Sequence, residues 1–180
     1  IDLGGGFKVP YKPGDGETDI DLLAQKVKEA FDNHPQAKNL QIWFEPGKFM
    51  VSECGYFVTQ VNVMKETTAT TVVSVNSGFN HLIRPMFYDS YHRIENISNP
   101  SGELKTYSVV GNICETDTFA WDRKLNEVNE GDYLVFYNAG AYGFDSRLKP
   151  AEVMIKDGEP YLVRRRDNWD DLLKNQVSID

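Results

Sequence analysis

Cysteine is scarce in this sequence: Cys54 and Cys114 are the only two in 180 residues. They form neither a metal-ligand spacing nor a disulfide framework, so no metal site is expected and a reducing, cytoplasmic location is. Long apolar runs are missing as well. None approaches the roughly 18 residues that a membrane helix needs, which excludes a membrane partner of that kind. Positive charge is in deficit, with 19 Lys and Arg against 27 Asp and Glu, a net charge of -8 and a pI near 4.9. That balance excludes the basic surface a nucleic-acid partner requires. The one basic cluster, Arg164-Arg165-Arg166, reads as a solvated strand edge. Internal repeats and low-complexity segments are absent. An initiator Met and a signal-peptide apolar region are absent too, and the opening Ile1-Asp2-Leu3-Gly4-Gly5-Gly6-Phe7 reads as the later part of something longer.

What is present suffices for one good core or two modest ones, since 41% of residues are hydrophobic and 12% aromatic. Ile1 to Leu3 read as the end of a buried strand, broken by three glycines that allow close approach of a ligand. Thr18 or Asp19 can cap a helix with the apolar face Ile20, Leu23, Ala24, Val27, Ala30 and Phe31, ending near Asn33. A short apolar run over 40–44 follows and stops at Glu45-Pro46-Gly47-Lys48. Strand, helix and strand with a glycine turn at the first strand's C-terminal end is the grammar of an α/β barrel, where ligands gather at strand C-termini. From Tyr56 the grammar becomes β-rich. Strands are predicted over 56–65, 70–75, 91–97, 107–113, 133–137, 151–156 and 159–164, the last two joined at Asp157-Gly158, before a short helix from Asn168-Trp169 through Leu172, Leu173 and Val177. The expected division is therefore 1–55, the last portion of an α/β barrel, and 56–180, a β-sandwich or barrel domain.

Three stretches are polar where a core would not need it. Val109-Val110-Gly111-Asn112-Ile113-Cys114-Glu115 is an apolar run that delivers a thiol and a carboxylate where it ends. It reads either as a platform for proton transfer or as a strand whose Cys is a small buried hydrophobe. Arg84, with Tyr88 four residues on, suits a carboxylate clamp, or else an Arg packing on Tyr at the surface. Asn138-Ala139-Gly140-Ala141-Tyr142-Gly143 places small residues and a Tyr after a strand, as a close-approach site or as a glycine turn with a packed Tyr.

Taken in order, Leu-Gly-Gly-Gly, Glu-Pro-Gly, Arg-Pro-x-x-Tyr, Cys-Glu-x-Asp and Ala-Gly-Ala-Tyr resemble the motifs of the fold-type III pyridoxal-phosphate decarboxylases, and among them the diaminopimelate decarboxylase family, over residues 2–152. The resemblance implies pyridoxal 5'-phosphate as cofactor, a small amino-acid substrate, and a homodimer with composite active sites. It assigns Gly5, Gly6, Glu45, Pro46, Gly47, Lys48 and Tyr142 to the cofactor, and Lys48, Arg84, Tyr88, Glu115 and Tyr142 to the substrate. Cys114 matches the residue that returns a proton after carbon dioxide leaves, and Cys114 and Glu115 would serve the partner subunit's site. Three features depart from the family pattern. The family's Schiff-base lysine precedes the glycine turn and has no match here, Lys8 and Lys12 reading as solvated; Lys48 stands where the family has Arg, losing the bidentate fork; and Phe144-Asp145-Ser146-Arg147 closes a gap that usually holds a Ser- and Asn-rich insert.

The implied activity is decarboxylation of meso-diaminopimelate to L-lysine, with this chain supplying the C-terminal part and inactive alone for want of that lysine. Alternatives are a relative acting on ornithine, arginine, carboxynorspermidine or a siderophore precursor, and a non-catalytic decoy subunit. A thiol hydrolase pairing Cys114 with His81 or His92 lacks a visible oxyanion hole, and His92 reads as structural.

Overall fold

The structure is a computed structural model and describes residues 1–143 and 148–177. At its start, residues 1–3 and 41–45 lie side by side in parallel, with Asp2 bridging Trp43. Trp43 N donates to Ile1 O and Leu3 N to Trp43 O, both at 2.9 Å. Helix α1 (Ile20–Asp32) connects them, capped by the Asp19 carboxylate on Leu22 N at 2.8 Å. The strand–helix–strand unit is thus present. The apolar face of the helix buries no residue, and Trp43 is 63% exposed. A two-strand pair is too narrow a layer to cover a helix stripe.

The short α2 (Gly47–Val51) leads into a six-stranded sheet built from β1 (Phe57–Glu66), β2 (Thr71–Val75), β3 (Ile94–Asn96), β4 (Leu104–Val110), β5 (Thr118–Asn126) and β6 (Tyr133–Phe136). The strand order is β3-β6-β1-β2-β4-β5. Neighbours are antiparallel except β2 and β4, which run parallel. A parallel pair needs a crossover, and this one carries α3 (Arg84–Tyr88). The edges β3 and β5 come back into contact, so the sheet is a nearly closed barrel. Its interior is apolar: Val61, Val73, Val109, Leu125, Leu134 and Phe136 are each at most 2% exposed. Beyond it, β7 (Glu152–Lys156) and β8 (Glu159–Arg164) form a separate hairpin, and α4 (Trp169–Leu173) opens on a reciprocal Asn168–Asp171 capping box. The hairpin turn has positive φ at Asp157 (54°) and Gly158 (82°), the pair that a two-residue turn of this hand demands.

Five points of the sequence reading need correction. Strand β5 was not predicted, because Asp122 takes φ 44° and bulges the strand, breaking the alternation that would have announced it. β4 spans Leu104–Val110 rather than 107–113, since the chain leaves the ladder at Gly111, whose amide donates to Asp117 O at 2.7 Å. β3 keeps only Ile94–Asn96 of 91–97, and α4 stops at Leu173, short of Val177. Arg164 is more than a solvated edge residue: its Nη2 pairs with Asp167 and its Nη1 donates to Pro150 O at 2.7 Å.

The α/β unit and the sheet meet backbone to backbone. Gly140 N donates to Ser52 O at 3.0 Å and Ala139 N to Gly55 O at 2.8 Å. A Cβ at position 140 would lie 1.8 Å from Val51 O. Gly140→Ala should therefore part the two strips of backbone and lower stability by about 1–3 kcal/mol, read as a lower urea midpoint. Gly16→Ala, where nothing lies within 4 Å of the added carbon, should move it by less than about 0.5 kcal/mol.

Candidate active site

Arg84 opens α3, with Pro85 in the first turn, where a missing amide hydrogen costs nothing. The helix ends at Asp89 in the left-handed conformation (φ 50°). This short turn of helix tucks the guanidinium inward and leaves Tyr88 outward: Arg84 is 8% exposed and Tyr88 58%. The Arg84 guanidinium lies 4.3 Å above the centroid of the Tyr11 ring and 5.5 Å from that of Tyr142. Tyr142, held at φ 54°, places its ring 6.1 Å from that of Tyr88. Nη1 of Arg84 is 3.5 Å from Nε2 of His92. No carboxylate among the described residues pairs with this cation. A guanidinium removed from water without a counter-ion is costly, and an arriving anion relieves that cost.

His92 is fully buried and packs edge-on against Tyr11, their ring centroids 5.2 Å apart. Its Nδ1 meets Tyr137 O at 2.8 Å, so Nδ1 carries the proton and Nε2 presents a lone pair to Arg84. Burial, with lesser contributions from the charges of Arg84 and Arg123, outweighs the Tyr137 hydrogen bond and pulls its pKa down to about 4. His92 is therefore neutral at physiological pH, as its reading as structural requires.

A second set of residues lies at the C-terminal ends of the parallel pair. Glu45 N donates to Gly4 O at 2.8 Å, and a Cβ on Gly5 would sit 2.3 Å from Glu45 O. Gly4 and Gly6 have φ of 72° and 84° and open space where a side chain would be. The amides of Gly5 and Gly6 donate to no described residue. Two free amides on a left-handed glycine turn are suited to a phosphate. Pro46 precedes α2 and Gly47 N is engaged with Glu45 O at 2.8 Å, while Lys48 is half-buried in the first turn without an ion pair among the described residues.

Cys114 and Glu115 belong to a third segment. Both are exposed on the loop after β4, past its end rather than on it, and Cys114 is a free thiol; the reading of Cys114 as a buried hydrophobe fails. The loop is nevertheless fixed. The buried Asp117 accepts from Phe79 N at 2.8 Å and Ile113 N at 3.0 Å, and Asn112 N donates to Ser77 O at 2.9 Å. Neither Cys114 nor Glu115 bonds to Arg84, Tyr88 or Tyr142 of the same chain. His81 is unsuited as their base, because its ring nitrogens meet Ser77 Oγ at 2.5 Å and Leu148 O at 2.9 Å. The structure thus brings Arg84, Tyr88 and Tyr142 into contact and sets the glycine turn against Glu45, while Cys114 and Glu115 bond to neither group. Sequence reasoning missed Tyr11 and the anchoring role of Asp117, the first because it sits in a turn-rich stretch with no periodicity, the second although it closes the Cys-Glu-x-Asp motif. The gap at 144–147 lies outside the described residues.

A barrel-like sheet domain joined to an α/β unit, with a buried cation that has no carboxylate partner among the described residues and a glycine turn open to phosphate, defines a class of cofactor-dependent enzyme domains. Residues 21–140 match the family pattern described as pyridoxal-dependent decarboxylase, C-terminal sheet domain, and the chain belongs to that family. It is 41% identical over 187 residues to the diaminopimelate decarboxylase of Methanothermobacter thermautotrophicus, covering 98% of this chain and 44% of that protein. The chain thus spans less than half the length of that curated relative. Among solved structures it resembles AQ1208 from Aquifex aeolicus, with a TM-score of 0.87, 34% identity and coverage of 99% of this chain and 45% of that one. It also resembles diaminopimelate decarboxylase of M. jannaschii in co-complex with L-lysine, with a TM-score of 0.84, 30% identity and coverage of 98% and 43%.

Because the pKa of His92 is depressed from 6.5 to about 4, its neutral form contributes stability that is fully present above about pH 6.5 and lost as pH falls toward 4. The loss amounts to about 3 kcal/mol from this group. His92→Gln should flatten that part of the acid limb, measured as the difference in urea midpoint between pH 7 and pH 4.5 for the two proteins.

Proposed function

We propose that the protein to which this chain contributes decarboxylates meso-diaminopimelate to L-lysine with pyridoxal 5'-phosphate. The observation that carries this reading is the Arg84 guanidinium, 8% exposed, stacked on two tyrosines and lacking any described carboxylate partner. Such a group suits a substrate with a second carboxylate, which diaminopimelate has and a simple diamine precursor such as ornithine lacks. The likeness to diaminopimelate decarboxylases along nearly the whole chain supports the same substrate.

The glycine turn fits the cofactor: the Gly5 and Gly6 amides would hold its phosphate, and Glu45, Pro46, Gly47 and Lys48 shape the adjoining wall. Bound there, pyridoxal phosphate supplies the electron sink for loss of carbon dioxide. This chain's residues do the remainder. Arg84 grips the retained carboxylate, with Tyr88 and Tyr142 walling the site and excluding water, and Lys48 adds a point charge. Glu115 receives the substrate's distal ammonium, and the Cys114 thiol returns a proton to the carbon that lost carbon dioxide.

In this reading residues 1–55 are the last portion of the α/β barrel and 56–180 the β domain. The outward exposure of Cys114 and Glu115 on a loop that makes no bond to Arg84, Tyr88 or Tyr142 of its own chain supports a homodimer in which that loop enters the partner's site, in a cytoplasmic enzyme. No helix among the described residues is long and apolar enough to cross a membrane.

Carbon dioxide release from meso-diaminopimelate, with ornithine and arginine as controls, tests the reading on the native protein with added cofactor. Release from diaminopimelate alone is expected, and release from none of the three would favour the decoy subunit. Cys114→Ala should lower kcat by about 100-fold or more with cofactor affinity unchanged. Equal loss of both would remove the thiol from proton transfer.

A further inference from the structure

The Arg84 guanidinium sits in a built cage. Tyr11 comes from the α/β unit, from the turn before α1, yet its ring lies beneath an arginine of the sheet domain, 4.3 Å from the guanidinium. The Tyr11 hydroxyl is fixed by Ser52 Oγ at 2.9 Å, itself a fully buried residue at the junction. Edge-on to the same ring stands His92, whose Nε2 is 3.5 Å from Arg84 Nη1 and whose Nδ1 is committed to Tyr137 O at 2.8 Å. Asn138, four residues before Tyr142, donates through Nδ2 to Pro10 O at 2.9 Å and so ties the Tyr11 turn to the segment that carries Tyr142.

Two properties of this cage bear on an anion. Every partner of the guanidinium is uncharged or π-electron rich: two tyrosine faces and a neutral imidazole. These contacts orient the planar group without neutralising it, whereas an internal carboxylate would orient it and use up its charge. The other charged groups bordering His92 are Arg84 and Arg123, and the latter stacks on Tyr91 at 3.7 Å and reaches His92 O at 3.4 Å. No acidic side chain intrudes on this cluster among the described residues.

We infer that Tyr11 and His92 are positioning residues that hold Arg84 aimed and unneutralised for the substrate's retained carboxylate, so that the α/β unit takes part in setting a substrate contact on the sheet domain. This rests on the reading of Arg84 as that carboxylate's ligand. In this role both act on substrate through Arg84. Their effect should therefore fall on substrate affinity more than on turnover, and on ligands with a carboxylate more than on those without.

The test uses the native, cofactor-loaded protein and two competitive probes, L-lysine, which keeps the carboxylate, and cadaverine, which lacks it. His92→Phe keeps a buried ring but removes both nitrogens, and Tyr11→Leu removes the π face. Each is expected to raise KM for meso-diaminopimelate and the inhibition constant of L-lysine on the order of tenfold, with kcat and the cadaverine constant changed by less than about threefold. His92→Gln, which restores a donor and an acceptor, should recover most of the L-lysine affinity. Arg84→Met separates the two levels of the account. If it weakens L-lysine while His92→Phe and Tyr11→Leu do not, or if those two weaken both probes alike, the positioning role is overturned and the reading of Arg84 stands. If Arg84→Met itself leaves L-lysine inhibition unchanged, the reading of Arg84 fails. Should His92→Phe not fold, Tyr11→Leu at the half-exposed junction turn decides alone.

Discussion

One buried charge organises the junction of this structure. A guanidinium buried to 8% exposure with no acidic partner among the described residues is a liability in a resting fold, and its surroundings are arranged to tolerate it. Tyr11 and Tyr142 offer π faces, and His92 offers a lone pair because burial keeps it unprotonated. Tyr142 is placed by the Ala139-Gly140 backbone strip that pairs with Ser52 and Gly55, so the junction between the α/β unit and the sheet and the environment of Arg84 are one construction. The close approach of Gly55 and Gly140 makes that possible, since a side chain at either would separate the strips that bring Tyr11 and Tyr142 to the same cation.

A different economy holds the Cys114 loop. There the stabilising charge is a buried carboxylate, Asp117, spent on backbone amides on either side of the loop, so that the exposed thiol and Glu115 project from a fixed base. A cleft of about 260 Å³ between α3 and β5, lined by Pro85, Met86, Thr116, Trp121 and Arg123 among others, borders both this loop and the outer face of the Arg84 helix. The loop is therefore a neighbour of the helix that carries Arg84 yet does not bond to Arg84 itself. A geometry of this kind lets one chain present the loop outward while it presents the cation inward.

Much of this was legible in the sequence where periodicity and turn chemistry agreed. The Asp19 cap, the helix ending at Asn33, β1, β2, β6 and the Asp157-Gly158 hairpin all follow from local rules that nothing in the tertiary fold contradicts. β5 was hidden because a bulge at Asp122 shifts the alternation in mid-strand, and a period of two read across a bulge cancels itself. Arg84 with Tyr88 was legible as one motif and Tyr142 as part of another, and the three side chains form a cluster. Tyr11 was not, because its role depends on a contact between two units far apart in the chain, and a turn-rich segment carries no pattern that announces a long-range partner. The apolar face of α1 was legible as a face, but a sequence stripe says which side wants burial and not whether a wide enough layer lies beside it.

The most direct test of the account is a crystal structure of the native protein with pyridoxal phosphate and L-lysine. The account predicts the lysine carboxylate within hydrogen-bonding distance of the Arg84 guanidinium, with Arg84 still stacked on Tyr11. An Arg84 paired to a protein carboxylate, or a lysine carboxylate bound elsewhere, would contradict it.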